Sequence, residues 1–137
     1  MSRPSESPSA VLAARAAAEA LAELRAGYAT ELPERVERLA HALHAWHRAP
    51  ADATRLELAR VLAHKLRGTA GSYGFPEVGE AAGRVEEAVK RAGGTSDDQE
   101  TAVWSEVLAS LREAEELATE ARARAGSPMS HDGRVLR

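Results

Sequence analysis

The sequence predicts an all-α protein, an antiparallel up-down four-helix bundle with an N-terminal helical extension or a kinked first helix. Apolar residues make up 44% of the chain and aromatic residues only 4%, and valine, isoleucine and threonine do not alternate with polar residues as in a half-buried strand. Apolar residues instead recur at steps of three and four, the spacing of one face of a helix. Turn signals divide this pattern into helices joined by short loops, which favour antiparallel neighbours.

The first predicted helix carries the longest apolar stripe. Ser9 is its expected N-cap, and Pro33 inside the pattern predicts a kink or a restart near residues 31–33. The stripe comprises Leu21, Leu24, Tyr28, Leu32, Val36, Leu39, Leu43 and Trp46. Residues 1–9 and 126–137 are polar and bear proline or glycine, so we expect disordered tails on either side of one helical domain at residues 10–125.

The second predicted helix follows a turn in which Asp52 or Thr54 is the N-cap, and it ends where Gly74 can take a positive φ angle. Its predicted core side consists of Leu58, Leu62, Leu66, Ala70 and Tyr73. Pro76 is well placed as the first residue of a third helix. The core side predicted for that helix consists of Val78, Ala82, Val85 and Val89.

The third predicted helix stops at Gly93 and Gly94, and Ser96 with Gln99 offers a capping box for a fourth. The apolar residues predicted for the fourth helix are Trp104, Val107, Leu111, Ala114 and Ala118. We expect Tyr28, Trp46, Tyr73 and Trp104 to pack in the core or at the bundle ends.

Charge and cysteine content limit the possible functions. The formal net charge is −3 with acids and bases interspersed, so we expect neither a nucleic-acid interface nor a membrane-binding face. The sequence contains no cysteine, which excludes disulfides and thiolate metal sites and fits a reducing compartment. No apolar run has the length of a membrane span or the character of a signal-peptide core. We therefore expect a cytoplasmic protein, and a monomer.

The second predicted helix presents a histidine among glycines. Each glycine inside a helix costs about 1 kcal/mol relative to alanine, so such glycines need a compensating reason. At 100° per residue, His64, Gly68 and Gly71 lie opposite the core residue Leu66. The residues Lys65 and Arg67 project on either flank, and Val61 and Glu57 lie one and two turns earlier. The absence of side chains beside His64 predicts a face that another protein can approach.

The third predicted helix can be aligned with the second through the turn between them. His64 lies eleven residues before Phe75 and Glu86 eleven after it, so an antiparallel pair places them at the same height. By the same count Gly83 is level with Arg67, and Gly79 with Gly71. A flanking stripe on the third helix is formed by Gly79, Gly83, Glu86 and Lys90. We expect the glycines of both helices to lower the surface around His64.

The chemistry of these side chains suits transfer of an anionic group. A neutral imidazole is a nucleophile, and if Glu86 accepts a hydrogen bond from one ring nitrogen, the other keeps an outward lone pair. Lys65 and Arg67 can then pair with an added phosphoryl group. The sequence has no glycine-rich nucleotide loop and no convincing Mg²⁺-binding carboxylate cluster, so we expect the chain not to bind ATP or transfer phosphate unaided, and the phosphoryl donor must come from elsewhere. We expect no cofactor.

The stretch AHKLRGTAGSYGF, residues 63–75, resembles the motif of the histidine-containing phosphotransfer (HPt) family, H-x-L-K-G-x-[AS] followed by a glycine. The positions that match are His64, Leu66, Gly68, Ala70 and Gly74. The family commonly has a glutamine or glutamate about 22 positions after the histidine that orients the ring, and Glu86 occupies that place. Arg67 departs from the pattern, because lysine is most frequent there.

The resemblance implies a phosphocarrier without kinase activity. His64 would be the phosphoacceptor, supported by Arg67, Lys65 and Glu86, and would pass a phosphoryl group between aspartates of receiver domains in a two-component system. Gly68, Gly71 and Val61 would contact the docked partner. The implied partners are response-regulator receiver domains and a hybrid or separate histidine kinase.

Other interpretations stay open at this point. The chain could be an interaction module that binds receiver or kinase domains without carrying phosphate. It could also be a metal- or cofactor-binding bundle, since His41, His44 and His47 resemble a ligand series. These histidines spread over more than a quarter turn and no acid or cysteine completes a zinc set, so we expect no metal. Glu86 could be an ordinary solvent-facing acid.

Overall fold

The computed structural model describes residues 7–92 and 97–126, with no account of the side chains of residues 97–100. Four helices make up the fold: α1 (Pro8–Arg48), α2 (Ala53–Ser72), α3 (Pro76–Ala92) and α4 (Asp97–Ala125). Contacts run from α1 to α2, α3, α4 and back to α1, so each helix packs against two neighbours. The predicted all-α four-helix bundle is therefore confirmed. None of these four helices combines the length and apolar character that a membrane crossing needs.

The start of α1 differs from the prediction, and the helix does not restart at Pro33. Ser7, rather than Ser9, is the N-cap, and its hydroxyl accepts a hydrogen bond from the Ala10 amide at 3.0 Å. The helix continues through Pro33 without a restart. Leu32 and Val36 are buried on either side of the proline, so packing against the bundle holds the helix together where its own hydrogen bonding is interrupted. Most residues of the two tails that were predicted to be disordered, namely residues 1–6 and 127–137, lie outside the described residues.

The first half of α1 is the predicted N-terminal extension. Every residue from Pro8 to Gly27 is exposed, whereas burial begins at Tyr28. Leu21 and Leu24, the first two members of the apolar stripe, are 49% and 58% exposed. The apolar stripe therefore continues toward the N-terminus beyond the buried part of α1. The later members of the stripe are all buried: Leu32, Val36, Leu39, Leu43 and Trp46.

Small residues set the packing of α2. Asp52 is its N-cap, as predicted, and accepts hydrogen bonds from the Thr54 and Arg55 amides. The buried residues are Ala59, Ala63, Leu66 and Ala70. Leu58 is 52% exposed, so its assignment to the core was wrong. Alanine at the contact allows α2 to approach its neighbours closely, and the core side is therefore rotated away from the larger leucine.

The turn between α2 and α3 aligns the two helices. Gly74 has φ +90°, a left-handed conformation that glycine adopts without strain. Its amide donates to the Gly71 carbonyl at 3.2 Å, and the Phe75 amide donates to the Ala70 carbonyl at 2.8 Å, which together form a Schellman motif. Tyr73 stacks on Tyr28 of α1, with ring centroids 4.5 Å apart. Pro76 is the first residue of α3, as predicted.

The valine and alanine stripes of α3 and α4 complete the core as predicted. The buried residues include Val78, Ala82, Val85 and Val89 of α3 and Val107, Leu111, Ala114 and Ala118 of α4. Trp104 is half-buried and meets Trp46 edge-on at 6.1 Å. The end of α3 at Ala92 agrees with the predicted stop, but Gly93, Gly94 and the capping residue Ser96 lie outside the described residues.

Candidate functional site

The imidazole of His64 and the carboxylate of Glu86 meet across α2 and α3. His64 Nδ1 lies 2.9 Å from Glu86 Oε2. The His64 side chain is 67% exposed, whereas that of Glu86 is 2% exposed. His64 and Glu86 are the same number of residues from Phe75 along the sequence, and this spacing predicted the contact. The alternative of a solvent-facing Glu86 is wrong. The pair thus combines a solvent-accessible imidazole with a buried carboxylate.

The hydrogen bond assigns the proton of the neutral ring. An ionised carboxylate only accepts hydrogen bonds, so Nδ1 must carry the proton that it donates to Glu86. In the neutral ring Nε2 then has no proton and keeps its lone pair. Because Glu86 engages Nδ1 and the His64 side chain is 67% exposed, Nε2 is the ring nitrogen left available to a partner. The geometry therefore presents a nucleophilic nitrogen on an exposed helix surface.

Three cationic or ionisable side chains surround the buried carboxylate of Glu86. Arg67 Nη1 donates to Oε1 at 3.1 Å, and Lys90 Nζ lies 3.6 Å from Oε2, the oxygen that also faces His64. Burial by itself would raise the pKa of Glu86. Hydrogen bonds from Arg67 and His64, together with the charges of His64 and Lys90, outweigh burial and lower the pKa below its usual 4.5. Glu86 is consequently ionised at neutral pH although it is buried.

The lowered pKa makes part of the protein's stability depend on pH. Glu86 binds a proton more weakly in the folded chain than in the unfolded chain, so its contribution is present above the unfolded-state pKa. This contribution to stability is lost as the pH falls from about 4.5, the ordinary pKa of the unfolded state, through the lower pKa of the folded state. Urea unfolding at pH 7 is expected to show Glu86→Gln less stable by about 1–3 kcal/mol. That difference should shrink progressively at pH 4 and pH 3, and a constant difference would contradict the account.

The glycines of the two helices serve different purposes. A methyl group added to Gly68 or Gly71 of α2 would meet nothing within 4 Å, so these glycines leave an open surface beside His64. Gly79 and Gly83 of α3 are buried instead. A Cβ at Gly79 would lie 3.0 Å from the Arg67 carbonyl oxygen. The expectation that all four glycines lower the outer surface is correct for α2 and wrong for α3, where glycine allows close helix packing.

Gly79→Ala tests this distinction. The added methyl would press on the Arg67 carbonyl oxygen and, at 3.4 Å, on the Gly71 amide nitrogen, both of which are backbone atoms that cannot rotate away. We expect a net loss of about 1–3 kcal/mol in the free energy of unfolding, despite the better helix propensity of alanine. Gly68→Ala is the matched control, with an expected gain of up to about 1 kcal/mol. Equal effects of both changes in urea unfolding would contradict the packing role of Gly79.

The other predicted site residues lie around this pair. Lys65 lines a cleft on the α1 side of α2 together with Arg35 and Arg38, so it flanks the ring on the side opposite Arg67. Val61, one turn before Lys65, is partly exposed. On the α3 side an open groove of about 560 Å³ adjoins the site. Its lining includes Arg67, Gly71, Gly79, Gly83, Glu87 and Arg91.

Lys90 is the residue that sequence reasoning left out of the site. It was recognised in the stripe with Glu86, but only the structure brings its ammonium group to the buried carboxylate. The signal was available, because a glutamate and a lysine four residues later form a favourable pair on a helix. Lys90 also lies 3.7 Å from Glu87, so it links a buried and an exposed carboxylate.

The histidine series of α1 packs on a tryptophan. The His47 ring stacks on Trp104 with centroids 3.9 Å apart, and the His44 ring meets the same indole edge-on at 5.4 Å. Over residues 7–92 and 97–126, no group of three or more histidine, cysteine or acidic residues is arranged to hold a metal ion. These two rings are accounted for by packing at the end of the bundle.

Comparison with protein-family models gives a match. The family model described as Hpt domain matches residues 23–123, which covers most of the chain and includes the His64–Glu86 pair. The matched region begins within the exposed part of α1 and ends in α4. Searches of curated proteins and of solved structures gave no match.

Proposed function

The chain belongs to the Hpt domain family, whose members transfer phosphoryl groups on histidine in two-component phosphorelays, and we propose that His64 is its phosphoryl carrier. The observation that supports this assignment is the 2.9 Å contact between His64 Nδ1 and Glu86, which leaves Nε2 unprotonated on a ring that is 67% exposed. We propose receiver domains as donor and acceptor of the phosphoryl group, and a hybrid or separate histidine kinase as the upstream source.

The proposed transfer is a direct displacement at phosphorus. The Nε2 lone pair attacks the aspartyl phosphate of a docked receiver, a bond from nitrogen to phosphorus forms, and the bond from phosphorus to the aspartate oxygen breaks. The receiver's carboxylate leaves with the bonding electrons. The proton on Nδ1 remains in place, where ionised Glu86 stabilises the positive charge that develops on the ring. Reversal of these steps returns the phosphoryl group to another receiver.

The surroundings of His64 favour this role over a buried structural one. Gly68 and Gly71 leave the approach open, and the cations Arg67 and Lys90 lie at the carboxylate that contacts the ring, so they add positive charge beside the site. A receiver would dock on the face that carries Val61, Gly68 and Gly71, with Lys65 at its edge. Such a contact is expected to be small and transient.

We further propose that the chain has no kinase activity of its own, since its sequence lacks a nucleotide-binding loop. A cytoplasmic location is proposed as well, in keeping with a sequence that contains no cysteine.

The test is to incubate the purified chain with a panel of receiver domains that carry ³²P on their aspartate. We expect the chain to acquire label that is acid-labile and alkali-stable, as phosphohistidine is, while the receiver loses label in step. Receivers that bind the chain without passing label would support the alternative, an interaction module that carries no phosphate. Incubation with radiolabelled ATP alone should leave the chain unlabelled, and labelling there would contradict the absence of kinase activity.

A further inference from the structure

The N-terminal extension of α1, residues 8–27, is an apolar helix that none of the other described helices covers. Thirteen of its twenty residues are alanine, leucine or valine, yet every one of the twenty is exposed. Leu21 lies on the same face of α1 as Tyr28 and Leu32, which are buried in the bundle. The face of α1 that packs in the bundle therefore continues along the extension, where it has no partner within the described part of the chain.

The apolar positions of the extension have the spacing of a coiled coil. They recur at alternating steps of four and three residues, the heptad pattern in which positions a and d form the contact between paired helices. The a and d positions of the extension form a seam that consists of Ala10, Ala14, Ala17, Leu21 and Leu24. With the exception of Arg25, the positions that flank the seam are small or apolar. The charged residues Arg15, Glu19 and Glu23 lie on the outer positions of the heptad.

The side chain of Arg25 is engaged at the turn between α2 and α3 rather than along the seam. Its Nε donates to the Tyr73 carbonyl at 3.1 Å, and its guanidinium lies against Gly74. The extension as a whole carries two arginines and two glutamates, so its formal charge is zero. Two copies of the extension would therefore meet without the repulsion between like charges that a charged segment would cause.

We propose that the seam binds the seam of a second copy of this chain, and that the two extensions pair in antiparallel orientation. In an antiparallel pair each a position faces a d position of the other helix. With residue 19 on the twofold axis, Leu21 faces Ala17 of the second copy and Leu24 faces Ala14. Each leucine thus meets an alanine, so the two helices can approach closely and fill the space between them.

The antiparallel register also suits the length of the extension. Ala10 of one copy reaches the level of Tyr28 of the other, where the bundle begins, so the overlap uses the whole extension. A parallel pair would instead place Leu21 against Leu21 and Ala17 against Ala17. The leucines would then hold the helices apart and leave gaps beside the alanines, which costs stability.

The proposed contact is short, so the dimer is expected to be weak. A seam of fewer than three heptads offers far less than the about 800 Å² that each partner buries in an interface of standard size. We expect a dissociation constant of about 100 μM, with monomer and dimer in exchange. The dimer differs from the monomer expected from the sequence, since only the structure shows that the other described helices leave the seam uncovered.

The dimer does not depend on the proposed function of His64. His64 lies nine residues before Tyr73, the residue whose carbonyl accepts from Arg25, and is thus about 14 Å further from the extension along α2. Pairing of two extensions therefore leaves the surface around His64 open. A failure of the dimer would leave the assignment of the phosphoryl carrier intact.

The experiment measures the mass of the full chain by analytical ultracentrifugation between about 5 μM and about 1 mM. We expect the average mass to rise from 14.6 kDa, the mass of one chain, toward twice that value. Leu21→Glu places a charge in the seam and should keep the chain monomeric over the whole range. Leu12→Glu is the matched control and should associate as the wild-type chain does. Leu12 is also exposed, but nine residues before Leu21 it lies on the opposite side of the helix.

Several results of this experiment would overturn the proposal. One is a wild-type chain that stays monomeric at about 1 mM. Another is a dimer that Leu21→Glu leaves intact, or that Leu12→Glu disrupts to the same degree. A monomeric wild-type chain that Leu21→Glu destabilises in urea unfolding would also overturn it, because another part of the same chain would then cover the seam.

Spin labels test the antiparallel orientation, and the chain contains no cysteine that would compete with an introduced one. Leu12→Cys and Glu19→Cys both place the label on the outer side of the helix, so the seam stays intact. In the antiparallel register the two Glu19 positions lie at the same level, whereas the two Leu12 positions lie fourteen residues, about 21 Å, apart along the axis. Double electron–electron resonance should therefore give a longer distance for Leu12→Cys. Equal distances would indicate a parallel pair and overturn the proposed orientation.

Discussion

Replacing His64 with glutamine is expected to abolish phosphoryl labelling by every receiver that labels the wild-type protein. A glutamine amide has no nucleophilic lone pair comparable to that of a neutral imidazole, so no bond from nitrogen to phosphorus can form. The fold should persist, because the His64 side chain is 67% exposed and the glutamine amide can still donate to Glu86. The free energy of unfolding is expected to change by no more than about 1 kcal/mol.

The control for this change is His41→Gln. His41 is an exposed histidine of α1 and no part of the site, so its replacement should leave labelling at the wild-type rate. Binding of receivers to the His64→Gln variant should also persist, since the surrounding glycine surface is intact. Label that remains on His64→Gln, or label that is lost from His41→Gln, would contradict the assignment of the phosphoryl carrier.

Gly68→Gln is expected to reduce the rate of labelling at least about tenfold, which corresponds to about 1.4 kcal/mol or more of lost complementarity. Gly68 lies one turn after His64, and a Cβ added there meets nothing within 4 Å inside the protein. The glutamine therefore projects outward, into the space that a docked receiver would occupy. Because glycine is a poor helix former, the variant should be as stable as the wild-type protein or more so.

A matched variant separates docking from general effects of the substitution. Gly27 of α1 also has nothing within 4 Å of an added Cβ, and it lies outside the His64 surface. Gly27→Gln should label at the normal rate and show a comparable gain in stability. Normal labelling of Gly68→Gln would mean that partners do not approach across this glycine, and equal slowing of both variants would mean that the effect is not local.

The alignment of His64 with Glu86 was predictable because it depends only on local rules. Gly74 and Pro76 mark the turn, a helix advances by a constant amount per residue, and an antiparallel pair therefore places equidistant residues side by side. The contact at 2.9 Å confirms this reasoning. The same rules place Gly83 beside Arg67, although they do not say what the pairing is for.

The features that were missed depend on distances between helices. The pattern within α3 does not reveal that α2 comes so close that Gly79 and Gly83 touch Arg67, so these glycines were interpreted as part of an open surface. The exposure of Leu21 and the failed core assignment of Leu58 have related reasons. An apolar stripe does not show where its neighbours end, and it does not show that alanines, rather than the nearest leucine, form the contact face.

The most direct test of the central claim is to locate the phosphoryl group on the protein itself. After phosphorylation by a receiver, NMR of ¹⁵N-histidine-labelled protein should show one phosphohistidine, assigned to His64, with phosphorus bonded to Nε2 and the proton retained on Nδ1. Phosphorus on Nδ1 of His64, on another of the five histidines or on no histidine would contradict the account.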